Sequence, residues 1–198
     1  MRHRKKNAAR YAIICTAILA GLIGLVLFLS PVDNGNGAEE FHFPQRTGQP
    51  YHVHADFLVV INSKELNFSL PEYDVAHPAI HLHLRNYKGG KVLHIESRAA
   101  SLDDFFSSLN MIFTEDCFVA GSEYCNNETH ALRFFVNGVA NERFERYLPK
   151  DLDRILIIYD NETEAETKLW IDAVSSAACI FSLRCEPPEE AENKVIYN

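Results

Sequence analysis

One uncharged run, Ala12 to Leu29 (AIICTAILAGLIGLVLFL), constrains this 198-residue chain more than any other feature. Its 18 residues, at 1.5 Å of helix rise each, nearly span a bilayer core of about 30 Å. Arg2, Arg4, Lys5, Lys6 and Arg10 all precede the run, and acidic residues follow it. By the positive-inside rule the N-terminus stays in the cytoplasm and everything after Ser30 is exported. A cleaved signal peptide would have a shorter apolar core and an Ala-x-Ala-like site, whereas Pro31-Val32-Asp33 follows here. No cysteine follows the run closely enough to accept a lipid. The reading is a cytoplasmic basic tail (1–10) and a transmembrane signal anchor (11–30), giving a single-pass cell-membrane protein whose C-terminal domain is extracytoplasmic.

Charge narrows the partners. The net charge is −8, and the five basic residues before Asp33 leave −13 on the remainder. A body that acidic offers no general surface for neutralising phosphates, which argues against nucleic acid as a partner. The bilayer is the partner expected for the N-terminal helix, and a membrane or cell-surface protein is a further candidate.

The cysteines agree with export. Cys15 lies in the anchor, and the other four fall as local pairs, Cys117 with Cys125 and Cys179 with Cys185. Neither pair has C-x-x-C spacing, so both read as structural disulfides of an oxidising compartment. Each short loop is worth about 2–3 kcal/mol in the chain-entropy model. Sequons at Asn67, Asn127 and Asn161 would accept glycans in a host with the machinery.

Residues 31–50 are rich in Pro, Gly and Asn without an apolar period and read as a flexible tether. The extracytoplasmic domain spans 51–160. Tyr51–Ile61 and Lys64–Leu70 form a hairpin about Asn62-Ser63, and Ile80–Asn86 and Lys91–Ser97 form a second about Lys88-Gly89-Gly90. Ser101 caps a short amphipathic helix with Leu102, Phe105, Phe106 and Leu109 on one face, expected to lie across the sheet. Ala131–Asn137 is a strand ending at the turn signal Asn137-Gly138, and Leu152–Tyr159 is apolar enough to be central. Residues 161–198 are expected to be an acidic C-terminal helix and a polar tail, with Leu169, Trp170, Val174, Ala178 and Phe181 at helical spacing. The class is α+β. The stretch from Leu132 to Tyr159 and the helix SLDDFFSSL resemble parts of a β-grasp (ubiquitin-like) domain: two hairpins, one packed helix and closing strands.

Seven of nine histidines lie between residues 42 and 94. His52 and His54, His81 and His83, and His94 sit on predicted strands, where H-x-H spacing puts both imidazoles on one face. A two-residue loop in the second hairpin places His83 opposite His94 and His81 opposite Glu96. Moving that loop by one residue leaves all four on the same face. Cross-strand Cβ atoms are about 4.5–5.5 Å apart, a gap a metal ion can bridge through imidazoles. Ile80, Leu82, Leu84, Leu93 and Ile95 take the core face, which leaves the histidines near solvent. The candidate ligands are His81, His83 and His94, then His52 and His54, then Glu96, with Asp56 as a ligand or an outer acceptor. His42, His77 and His130 lie in predicted loops and receive no role. Imidazole with carboxylate suits a Zn or Cu ion. A polar sheet face with satisfied hydrogen bonds, or a pH-sensing cluster, is the alternative for the same residues.

The segments YHVHADFLVVINSKEL, HLHLRNYKGGKVLHIES, SLDDFFSSLNM, LRFFVNG, LPKDLDRILIIYD and SSAACIFSLRC resemble a family of small membrane-anchored extracytoplasmic proteins from uncharacterised archaea and candidate-phylum bacteria. The resemblance covers about residues 51–185 and implies placement and fold, not an activity. Where that family has an Asp/Gly-rich turn after H-x-H, this chain has Leu84–Gly90 without carboxylates. No G-x-S-x-G, H-E-x-x-H or nucleophile triad is evident, which argues against an enzyme. The expectation is an anchored metal-binding protein; the alternative is a metal-free protein-interaction module of a cell-surface assembly.

Overall fold

The structure, a computed structural model, describes residues 51–189 except 83, 85, 86 and 162. The basic tail, the anchor and the tether lie outside the described residues, as does His83. Among the described residues no helix is long and apolar enough to cross a membrane.

Among the described residues the fold is α+β, with one mixed sheet, one antiparallel sheet and few helices. Among the described residues, the larger sheet has β1 (Val53–Ile61), β2 (Lys64–Glu65), β3 (Ile80–Leu82), β4 (Val92–Ile95), β8 (Ala131–Val136), β9 (Val139–Ala140) and β10 (Arg154–Asp160). Its order is β3-β4-β1-β10-β8-β9, with β2 also on β1. The smaller sheet is β5 (Ile112–Phe113), β6 (Cys117–Val119) and β7 (Glu123–Cys125).

Chain chemistry accounts for the frame. Asn62 and Ser63 both take positive φ (49° and 59°), as do Asn137 and Gly138 (52° and 81°), the pattern of tight hairpin turns. The most apolar strand, β10, is central, parallel to β1 and antiparallel to β8. Strand β1 is buried on both faces. Val53, Ala55, Phe57 and Val59 join the main core with Phe105 and Phe106 of α1 (Leu102–Ser108). Leu58 and Val60 join a second core with Leu156, Ile158 and Val174, flanked by Trp170 and Ile171 of α2 (Glu164–Ala173).

The start of α1 is a capping box: Ser101 accepts from the Asp104 amide, and the Asp104 carboxylate accepts from the Ser101 amide at 2.8 Å. Ser101→Ala should cost about 1 kcal/mol, measured by urea denaturation. Those hydrogen bonds, from the Ser101 amide first and then its hydroxyl, hold the Asp104 carboxyl below its ordinary 3.8. Its contribution is therefore full above 3.8 and is lost as pH falls through the lower folded value. Amide exchange across α1 at pH 5 and about pH 2.5 should show this cap failing in acid.

Three expectations need correction. The second hairpin pairs His81 with His94 and Leu82 with Leu93, two residues off the expected register. Its loop is not two residues: β3 ends at Leu82 and β4 begins at Val92. Gly90, at φ +78°, lies where a Cβ would come 2.6 Å from the Phe68 carbonyl carbon, so the loop tucks against Phe68 instead of extending the ladder. The C-terminal helix is broken, α2 ending at Ala173 and α3 (Ala178–Phe181) following after a bend. Strand Asp56 and Arg154, register neighbours on β1 and β10, fix that bend. Arg154 donates to the carbonyls of Ile171, Asp172, Val174 and Ser175 at the end of α2. Asp56 accepts from the Ser175 hydroxyl and from the Ala177 and Ala178 amides (2.8 and 3.0 Å). Lastly, the β-grasp expectation is met only at the level of α+β. One edge of β1 is divided between β2 at Val60–Ile61 and β4 at Val53–Asp56.

Candidate metal centre

Antiparallel pairing sets three imidazoles in a row. His54 of β1 lies opposite His94 of β4, and His94 lies opposite His81 of β3. Their strand neighbours Val53, Ala55, Ile80, Leu82, Leu93 and Ile95 are all in the main core. Alternation therefore puts the imidazoles on the other face. His52, two residues before His54, joins them at the mouth of β1.

The rings meet closely. His52 stacks on His94 with centroids 4.2 Å apart and planes 12° apart. The His54–His94 and His52–His54 centroids are each 4.8 Å apart. Ligand nitrogens of His52, His54 and His94 all lie within 4.8 Å of one another. Around a Zn²⁺ or Cu²⁺ ion at about 2.0–2.1 Å from each nitrogen, those nitrogens would stand roughly 3.3 Å apart.

Of the other expected ligands, His81 stands 4.9 Å from His94 by ring centroid, outside the three-ligand group. Glu96 is half exposed, its Oε1 3.6 Å from His94 Nε2. His83 lies outside the described residues.

The site is only partly at solvent, where the expectation places all of its histidines. His54 and His94 are only 5% and 6% exposed, while His52 is exposed. The C-terminal segment provides the cover: the Phe181 ring lies 5.6 Å from that of His54, and Val92 packs with Ala177 and Ala178. Asp56 is also reassigned. It is buried and committed to the Ser175–Ala178 bend, so it is an anchor for the cover, not a ligand. Burial raises its carboxyl above the ordinary 3.8 despite the donors from Ser175, Ala178 and Ala177.

Outer contacts orient the rings. His81 Nδ1 lies 3.0 Å from the His77 carbonyl oxygen, which only accepts, so His81 carries its proton on Nδ1. His77 thus has a part that its loop position hid. His54 Nδ1 lies 3.1 Å from Ser182 Oγ, and Ser182 in turn donates to Asp151. Sequence spacing does not reveal Asp151 and Ser182, because 97 and 128 residues separate them from His54 and no spacing rule links them.

The two disulfides, Cys117–Cys125 and Cys179–Cys185, are formed. The first bridges residues directly paired across β6 and β7. Compared with protein-family models, with curated proteins and with solved structures, the chain matches none of them. Fold and site therefore define the class by themselves: a disulfide-bonded α+β domain, fitted to an oxidising environment, in which three close histidines can hold a metal ion.

Proposed function

We propose that this chain is a membrane-anchored extracytoplasmic protein that binds one divalent ion, Zn²⁺ or Cu²⁺, through His52, His54 and His94. The convergence of those three ligand nitrogens within 4.8 Å carries the reading. Three imidazoles without a thiolate form a donor set suited to both ions. His81 and Glu96 are the next nearest donors, beside His94. The disulfides and the Ala12–Leu29 run support placement outside the cytoplasm, with the bilayer as partner. Two buried ligands and one exposed ligand leave the ion approachable from the His52 side, which favours a metal-handling role over a sealed structural ion.

The test is metal content and stability of the full-length chain, purified in mild detergent without a histidine tag. About one equivalent of metal is expected by mass spectrometry. At free Zn²⁺ or Cu²⁺ 100-fold above Kd, binding adds about 2.7 kcal/mol, a rise in Tm of roughly 5–10 °C for a domain of this size. Metal-free protein whose Tm ignores both ions would overturn the proposal.

A further inference from the structure

We infer that Ser182, held by Asp151 on the disulfide-closed C-terminal loop, is a positioning residue for the metal site: it fixes His54 as the Nδ1–H tautomer and so presents Nε2 to the ion. This deepens the metal reading and rests on it.

The Asp151 carboxylate can only accept, so the single hydroxyl proton of Ser182 goes to Asp151 Oδ1. Ser182 Oγ then accepts from His54 Nδ1, 3.1 Å away. With its proton on Nδ1, the imidazole carries its lone pair on Nε2, the nitrogen that can then ligate a cation. Outer partners of this kind orient a ligand ring and raise its basicity.

The circuit closes on His54 itself. The His54 amide donates to Asp151 Oδ1 at 3.3 Å, and the His54 carbonyl accepts from the Leu152 amide at 2.8 Å. The strand that carries the ligand therefore also fixes the carboxylate that orients it. Arg184 Nε lies 3.8 Å from Asp151 Oδ2 and balances its charge.

Two further features belong to the same arrangement. The Cys179–Cys185 bridge encloses Phe181 and Ser182, the two residues placed against His54, and Arg184 and Cys185 donate backbone amides to the Cys179 carbonyl. Leu152 and Leu183, which directly follow Asp151 and Ser182, both hold left-handed backbone at φ 65° and 55°. A leucine resists that conformation, so the surrounding contacts must impose it. Both side chains are largely outside the core, at 40% and 73% exposure, so side-chain packing does not account for it.

The experiment uses the full-length chain in mild detergent, ¹⁵N-labelled at histidine. Long-range nitrogen–proton correlation of the metal-free protein should show His54 as Nδ1–H. In Ser182→Ala the spectrum should move toward Nε2–H, and Zn²⁺ affinity by competition titration should fall about 10–100-fold. Ser182→Thr, which keeps the hydroxyl, should restore both readouts. A merely structural Ser182 would alter Tm without moving the tautomer. The inference is overturned by a wild-type His54 bearing Nε2–H, or by Ser182→Ala with unchanged tautomer and affinity. A wild-type chain that takes up no Zn²⁺ overturns the underlying metal reading instead, and the metal-free spectrum tells the two failures apart.

Discussion

His94→Ala is expected to weaken Zn²⁺ or Cu²⁺ binding by far more than the roughly 10–100-fold of an outer-contact change. His94 is the hub of the cluster. Its ring meets those of His52, His54 and His81 at 4.2, 4.8 and 4.9 Å. Removing it deletes a ligand and also the wall against which His52 stacks. His81→Ala, which removes a ring outside the three-ligand group, should fall within the outer-contact range. Competition titration of the two variants beside wild type separates them, with far-ultraviolet circular dichroism as the folding control. Equal affinities for His94→Ala and wild type would contradict the assignment.

Asp56→Ala is expected to be the most destabilising single change near the site, about 3 kcal/mol by urea denaturation. Alanine would leave the Ser175 hydroxyl and the Ala177 and Ala178 amides without their acceptor, in a place where the residue itself is only 1% exposed. Each buried orphaned donor costs about 1–3 kcal/mol, reduced where the loosened segment regains water. The loss should be local first: amide exchange at Ala177 and Ala178 should accelerate most. Metal affinity should fall with it, because the same segment carries Phe181 and Ser182 over His54. The pH dependence separates Asp56 from Asp104. A carboxyl whose folded value is raised gives its full stabilisation below the unfolded 3.8 and loses it as pH rises through the folded value. Asp56 therefore opposes acid unfolding, whereas the Asp104 cap promotes it. Urea midpoints of wild type and Asp56→Ala should draw nearer as pH rises through the folded value of Asp56, with wild type staying the more stable because its carboxylate still accepts from Ser175, Ala177 and Ala178.

Local rules carried much of the architecture into the sequence. Asn62-Ser63 and Asn137-Gly138 mark turns because their residue types tolerate positive φ, and Ser101 with Asp104 marks a helix start because it satisfies backbone donors within four residues. The side of the histidines was legible for a similar reason. Pairing two residues away from expectation preserves parity, so His81 and His94 share a face in either register. What eluded the sequence was long-range. The exposure of that face depended on a segment more than 100 residues downstream folding back through Asp56. The break between α2 and α3 arises from Arg154 and Asp56 competing for backbone groups that a continuous helix would satisfy itself. Helical spacing of Trp170, Val174 and Ala178 could not reveal that competition. Likewise nothing adjacent to Ser182 marks it as a neighbour of His54.

X-ray absorption at the metal K-edge of the loaded full-length chain tests the central idea most directly. Three imidazole nitrogens at about 2.0–2.1 Å, with the multiple-scattering pattern of histidine rings, are predicted, and the imidazole count should drop by one in His94→Ala. A coordination shell of oxygen alone, or an imidazole count unmoved by that substitution, would contradict it.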